Sequence, residues 1–394
     1  RKEEMILLES REMGKPITQS KAEVEKCAGL CEFYAQTAPQ FLAPEMIKTE
    51  AHKSYVRFDP LGVVLGIMPW NFPFWQVFRF AVPVIAAGNG AVLKHASNVP
   101  QCAMKIEEVF REAGFPQGLF KTLLIDSQTS SRLIESDAVD AVSLTGSTGA
   151  GESVAQMAGK HLKKCVLELG GSDPFIVLAD ADLDQATKVA IQARTTNTGQ
   201  SCIAAKRFIV EASVAQEFEK KLTEQFKTLK IGNPMDETVQ IGPLAKAEIR
   251  DDIERQVNDA VSKGAKILSG GKKSPGKGYF FEPTLITNVN ATMAIYLEET
   301  FGPVMPIIVA ADRAEAVQIA NSSPFGLGAS VWTKNLEVAE EMAAEIESGF
   351  VAINAMVKSD ARLPFGGVKK SGFGRELGSY GIKEFVNIKT VVVN

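Results

Sequence analysis

No block of like charge, no unbroken apolar run long enough to cross a bilayer, and no histidine pair stands in this 394-residue sequence. Its 43 basic and 47 acidic residues are interspersed and leave a net charge of −4, which argues against nucleic acid as a partner. The most apolar stretch, VVLGIMPWNFPFWQVFRFAVPVIAAGNGAVLK, carries Pro69, Asn71, Pro73, Arg79 and Pro83. It reads as buried strands and a helix, so no membrane partner is expected. Five scattered cysteines, an odd number, point to reduced thiols in a cytoplasmic protein rather than a disulfide frame. Cys27 and Cys31 lie four apart on an expected helix, but no second ligand pair follows, so no metal site is expected. His52, His95 and His161 lack the carboxamide or carboxylate pattern of a histidine-based dyad. No internal repeat stands out. The opening RKEEMILLES reads as the middle of an amphipathic helix, without an initiator methionine or apolar leader, so an N-terminal portion is expected to be missing.

What is present is alternation. GVVLGIMPWNFP runs into FWQVFRFAVPVIAAG, GAVLKHAS into VPQCAMKIEEVFREAG, and AVDAVSLTGS into TGAGESVAQMAGKHL. Each pairs a strand-like apolar run with a helix-like periodic one, the pattern of a parallel sheet with helices on its faces. A second such series begins near DPFIVLADADLDQATKVAIQARTTNTGQSC. The length predicts two domains of roughly 150 to 200 residues, and the boundary is expected at LELGGSDPF, Leu167 to Phe175. The β-branched tail EFVNIKTVVV is expected to form a strand able to pair with another subunit's edge.

Several residues stand out against this scaffold. Cys202, in NTGQSCIAAKR, follows Gly199, Gln200 and Ser201. That run predicts an exposed tight turn opening a helix, whose backbone N–H groups favour a thiolate, although a free cysteine is more often a small buried hydrophobe. Glu168, in VLELGG, interrupts an apolar strand end. Apolar surroundings would raise its pKa toward a range useful for moving protons, and the two following glycines let another group approach the backbone; a solvated strand-end carboxylate is the alternative. Asn71, among aromatics and prolines, is either a satisfied structural amide or a donor aimed at an oxyanion. LTGSTGAG, Leu144 to Gly151, leads from a strand into a helix and can approach phosphates, without the full G-x-G-x-x-G spacing.

Taken together and in order, PWNFP, TGSTGAG, LELGG, NTGQSC, EETFGP and PFGGVKKSGFGREL resemble the aldehyde dehydrogenase superfamily over essentially the whole chain. The resemblance implies an α/β aldehyde dehydrogenase fold: a Rossmann-like cofactor domain at 1–45 and 61–170, an α/β catalytic domain at 171–370, and small β oligomerisation strands at 46–60 and 380–394. It implies Cys202 as nucleophile, Asn71 with the Cys202 N–H as oxyanion donors, and Glu168 as the base that activates water, so that the product is a free acid. NAD or NADP is the implied cofactor. Trp70, Lys94, Gly146, Ser147, Gly151, Glu299 and Phe301 match cofactor positions. NAD-preferring members commonly carry a glutamate three positions after the lysine, where Ser97 stands here; Lys94 and Ser97 are expected to bind a 2′-phosphate. Arg79, eight residues after Asn71, matches an arginine of succinate semialdehyde dehydrogenases that holds the substrate carboxylate, and Ser359 matches its assisting serine. Arg79 could instead pair with a protein carboxylate. A second arginine common in that group is replaced by Thr196, with Arg362 as a candidate substitute. The expected partners are a small aldehyde and further copies of the chain in a homodimer or homotetramer. The alternatives are an enzyme of broader aldehyde range and a noncatalytic protein on the same scaffold.

Overall fold

The computed structural model describes residues 1–394. Near-continuous apolar runs such as AVSLT, buried at every position of the strand Ala141–Thr145, suit parallel strands covered on both faces. Five of them form a parallel sheet in the order Lys164–Glu168, Ala141–Thr145, Val63–Met68, Gly90–His95, Phe120–Thr122, with Gly372–Phe373 added antiparallel at one edge. The chain lays down Val63–Met68, Gly90–His95 and Phe120–Thr122 toward one side, then returns to place Ala141–Thr145 and Lys164–Glu168 on the other. The reversal opens a crevice beyond the carboxyl ends of Val63–Met68 and Ala141–Thr145, where such sheets bind ligands.

Residues 169–172 carry the chain to a second sheet. Its order is Lys266–Ser269, Thr284–Thr287, Val304–Ala310, Ala205–Glu211, Asp173–Val177, Gly328–Trp332, Phe350–Ile353, parallel except at the first pair. The crossing lies within the expected boundary. A third, antiparallel sheet joins Glu45–Ile47, Lys53–Pro60 and Val386–Val393, so the tail strand pairs within its own chain and keeps one edge open. The long apolar stretch becomes strand Val63–Met68, helix Trp75–Ala86 and strand Gly90–His95, and no helix is long and apolar enough to cross a membrane. The helix Ile17–Phe41 packs against Trp75–Ala86 and brings the N-terminal region to the site.

Candidate active site

Cys202 leaves a strained turn. Asn197 (φ 53°), Thr198 (φ 56°) and Gly199 (φ 77°) are three successive left-handed residues, a conformation that costs a β-branched residue most. Buried bonds hold it. The Asn197 side-chain amide donates to Asn71 O (2.6 Å) and Gln200 O (3.1 Å), and Thr198 Oγ1 accepts from the Gly242 N–H (3.0 Å). Arg194, fully buried, donates to the carbonyls of Gly199 (2.8 Å), Ala205 (2.9 Å), Thr300 (3.2 Å) and Gly302. A Cβ on Gly199 would collide with Gly302 O.

Here the structure corrects the sequence reading. Gly199, Gln200 and Ser201 are buried, and the chain passes from Cys202 into strand Ala205–Glu211, not into a helix. No helix begins at Cys202. Burial pushes it up to about 11, against the downward pull of Arg79 and Lys206. Lys206, also buried, donates to Ser201 O (2.9 Å) and Cys202 O (2.7 Å) and meets Glu299 Oε1 at 3.2 Å. The Cys202 N–H donates to no protein acceptor.

Asn71 is buried beside this turn, its Nδ2 donating to Gln200 O at 3.0 Å. Two groups fix its loop. His95 Nε2 lies 2.9 Å from Pro73 O while Nδ1 accepts from the Ala96 N–H at 2.9 Å; burial drops this imidazole to about 4, so it stays neutral. Glu23 Oε1 accepts from the Phe74 and Trp75 N–H groups at 2.9 and 2.8 Å, and its other oxygen pairs with the buried Lys15, which also pairs with Glu9.

Glu168 ends strand Lys164–Glu168 and is buried, with Oε1 unpartnered. Burial, then the nearby Glu376, holds it well above the carboxylate range, against Arg79 and Arg375. A Cβ on Gly366 would lie 2.7 Å from Glu168 Oε1. The guanidinium expected to await a substrate carboxylate is already paired: Arg79 Nε meets Glu376, Nη2 donates to Thr145 Oγ1 at 3.3 Å, and the Phe365 ring lies 4.7 Å away. A buried guanidinium needs such a partner, and the sequence offered no sign that a carboxylate nearly 300 positions on would supply it.

The glycines of LELGG behave as their type predicts. A Cβ on Gly170 would meet Glu299 Oε2, and one on Gly171 would lie 2.7 Å from Cys202 O, so both close approaches depend on their absence. Glu299 Oε1 also accepts from the Gly171 N–H at 3.0 Å. Phe301 stands edge-on to Trp70 with centroids 5.9 Å apart. Lys94 is the penultimate residue of strand Gly90–His95, and Ser97 is exposed just beyond. Gly146 follows strand Ala141–Thr145, and the exposed Ser147 caps helix Thr148–Lys160, with open space at Gly149. An exposed helix N-terminus with small residues around it, and a lysine near the end of strand Gly90–His95, fit a dinucleotide's phosphates and ribose. Gly151 differs: its missing Cβ points at Leu169, so it packs helix against strand and does not face the crevice.

A cavity of about 950 Å³ opens onto Cys202. Arg79, Thr196, Ser359, Lys26, Lys188 and Lys358 line it, whereas Glu168 does not. Arg362 is turned to solvent and paired with Asp360 at 2.6 Å, so it does not replace the second arginine. Sequence reasoning missed Lys26, Arg194, Lys206 and Glu376. Only the basic pair after Cys202 carried a signal, and both its members prove buried.

A cysteine thiol with a free backbone N–H, a buried carboxyl at Glu168 and a crevice at the carboxyl ends of a parallel sheet suit the oxidation of carbonyl compounds. The model described as "Aldehyde dehydrogenase family" matches residues 1–391, and the chain belongs to that family. Among its relatives, a probable succinate-semialdehyde dehydrogenase (NADP(+)) of Synechocystis sp. is 55% identical over 391 residues, covering 99% of this chain and 86% of that one. The succinate semialdehyde dehydrogenase (NAD(P)+) Sad of Escherichia coli is 49% identical over 391 residues, 99% and 85% of the two chains. The crystal structure of succinic semialdehyde dehydrogenase from Streptococcus pyogenes in complex with NADP+ superposes with a TM-score of 0.97 at 40% identity, covering 99% of this chain and 86% of that one.

Proposed function

We propose that this chain oxidises succinate semialdehyde to succinate with NADP+ or NAD+. The observation that carries the substrate is the charge of the cavity. Lys26, Lys188 and Lys358 line it beside Arg79, which is paired with Glu376, while its own carboxylates are spent elsewhere, Glu23 on Lys15 and Asp360 on Arg362. A short aldehyde with a carboxylate at its far end suits that wall.

In this reading the Cys202 thiol gives its proton to water in the cavity and the thiolate Sγ attacks the aldehyde carbon, the carbonyl π pair moving onto the oxygen. The new oxyanion takes hydrogen bonds from Asn71 Nδ2 and the Cys202 N–H. A nicotinamide held in the crevice would supply the hydride acceptor for this step, and Cys202 then carries the acyl group as a thioester. Glu168, once deprotonated, takes a proton from water, whose oxygen attacks the thioester carbon; the C–S bond breaks and succinate departs. The buried, unpartnered carboxyl of Glu168 supports a proton-moving role. Lys94, Ser97, Ser147, Glu299, Trp70 and Phe301 hold the dinucleotide, and the serine at position 97 favours NADP+ because no carboxylate repels a 2′-phosphate. Residues 1–45 and 61–170 form the cofactor domain and 171–370 the catalytic domain. The strands at 46–60 and 380–394 join copies into a homodimer or homotetramer, and the enzyme works in the cytoplasm.

The pairing of Arg79 with Glu376 favours one second reading, a broader enzyme for neutral aldehydes. Steady-state kcat/KM for succinate semialdehyde and butanal, each with NADP+ and NAD+, separates the two. The expected result is a preference of about tenfold or more for succinate semialdehyde, with NADP+ used at least as well as NAD+. Equal or better use of butanal would overturn the substrate.

A further inference from the structure

Lys206 is the second residue of strand Ala205–Glu211 and is buried, as is Arg207 beside it. Successive side chains of a strand point to opposite faces, and the two cations are spent differently. Arg207 donates to the carbonyls of Ser172 (3.0 Å), Ile319 (2.7 Å) and Ala320 (2.9 Å), which ties the strand to helix Arg313–Asn321. Lys206 Nζ reaches Ser201 O at 2.9 Å, Cys202 O at 2.7 Å and Glu299 Oε1 at 3.2 Å, three partners for its three N–H donors. Every peptide bond here is trans, so Ser201 O and the Cys202 N–H share one plane and point opposite ways. Holding that oxygen therefore aims the N–H, which donates to nothing in the protein. The Cys202 carbonyl also lies against Gly171, where a Cβ would come within 2.7 Å of it. The Gly171 N–H in turn donates to Glu299 Oε1 at 3.0 Å. Both contacts of Glu299 thus use Oε1 and leave Oε2 unspent on a part-exposed side chain.

We propose that Lys206 is a positioning residue that holds the Cys202 N–H and the Glu299 carboxylate in one frame, so that the oxyanion and the ribose of a bound dinucleotide keep a fixed spacing. The inference rests on the reading of Cys202 as nucleophile and Glu299 as a cofactor ligand, and deepens it. One buried cation then sets the distance between the carbon that gives up hydride and the ring that receives it. An error of about 1 Å in such a distance costs roughly 100-fold in rate. The same ammonium takes part in the charge balance around the thiol, with Arg79 acting in its direction and Glu299 and Glu168 against it.

The test compares wild type, Lys206→Met and Lys206→Gln in three measurements. These are the Kd for NADP+ by calorimetry, the single-turnover rate of NADPH formation per titrated Cys202, and the pH dependence of Cys202 alkylation by iodoacetamide without cofactor, followed on the Cys202 peptide by mass spectrometry. Turnover uses succinate semialdehyde or butanal, whichever wild type oxidises faster. Lys206→Met should slow single turnover by roughly 10- to 100-fold and raise the Kd. Its alkylation should move to higher pH, because a cation that favours the thiolate is gone and Glu299 is left uncompensated. Lys206→Gln keeps N–H donors on a shorter, neutral side chain, so its turnover should fall between the other two while its alkylation follows Lys206→Met. A lysine that only fills the core would change the unfolding midpoint and leave all three measurements, taken per active site, at their wild-type values. That result in Lys206→Met overturns the assignment. If Lys206→Met does not fold, wild-type turnover and Kd in Lys206→Gln overturn it instead. A wild type that forms no NADPH with either aldehyde overturns the reading of Cys202 and Glu299, and this inference with it.

Discussion

Glu168 and Glu376 are both buried near Arg79, and burial raises both carboxyls, Glu168 well above the carboxylate range. Arg79 pairs with Glu376 and leaves Glu168 Oε1 unpartnered, which favours the protonated acid at Glu168. A base must lose that proton before it can activate water. The acyl-hydrolysis rate should therefore climb with pH through the raised Glu168 pKa and fall on the acid side, whereas a carboxylate with a depressed pKa would give the same rise only at much lower pH and a flat rate near neutrality. Glu168→Gln should release a burst of about one NADPH per site and then stall, in stopped-flow absorbance at 340 nm. Normal steady-state turnover would mean that another group activates the water. At this scale the three residues proposed to react were conspicuous in the sequence, because cysteine, glutamate and asparagine stand where apolar residues are expected. Their supports were not. Glu376, Arg194 and Lys26 look like surface charges in sequence, and only the fold brings Glu376 to Arg79 or the carbonyl of Gly302 to Arg194.

The turn at 196–199 is the element that sets the position of Cys202, the proposed nucleophile. Replacing Gly199 by alanine puts a Cβ at φ 77° and against Gly302 O, which should cost at least about 2 kcal/mol. Chemical denaturation should read the lower midpoint, and kcat/KM should fall at temperatures where the variant is still folded. A variant as stable and active as wild type would show that the close approach is dispensable. The glycine in NTGQSC announced a turn, but not that Asn197 and Thr198 share its left-handed backbone. Asparagine visits that region readily and threonine does not, so the threonine masked the turn. The same blindness produced the expected helix after Cys202, since nothing in SCIAAKRF separates a helix start from a buried strand until the strand's neighbours are known.

Alternating strands and helices marked both sheets, and the two glycines of LELGG marked the crossing between them, because local periodicity carries that information. Pairing does not travel in periodicity. The tail strand's partner, Lys53–Pro60, lies more than 300 positions earlier. Ile388 and Val392 stand exposed on that sheet, as do Met46 and Ile47. Ile388→Lys with Val392→Lys should shift the sedimentation coefficient toward that of a monomer without lowering the unfolding midpoint, and an unchanged assembly would move the contact elsewhere. The cavity, finally, is built from two sources. Its reactive end comes from residues clamped together by Arg194 and Lys206, while its outer wall comes from helix Ile17–Phe41 and the stretch at 356–361. Drift in the outer wall leaves the clamp untouched, so descendants of this chain can exchange one aldehyde for another while inheriting the same chemistry.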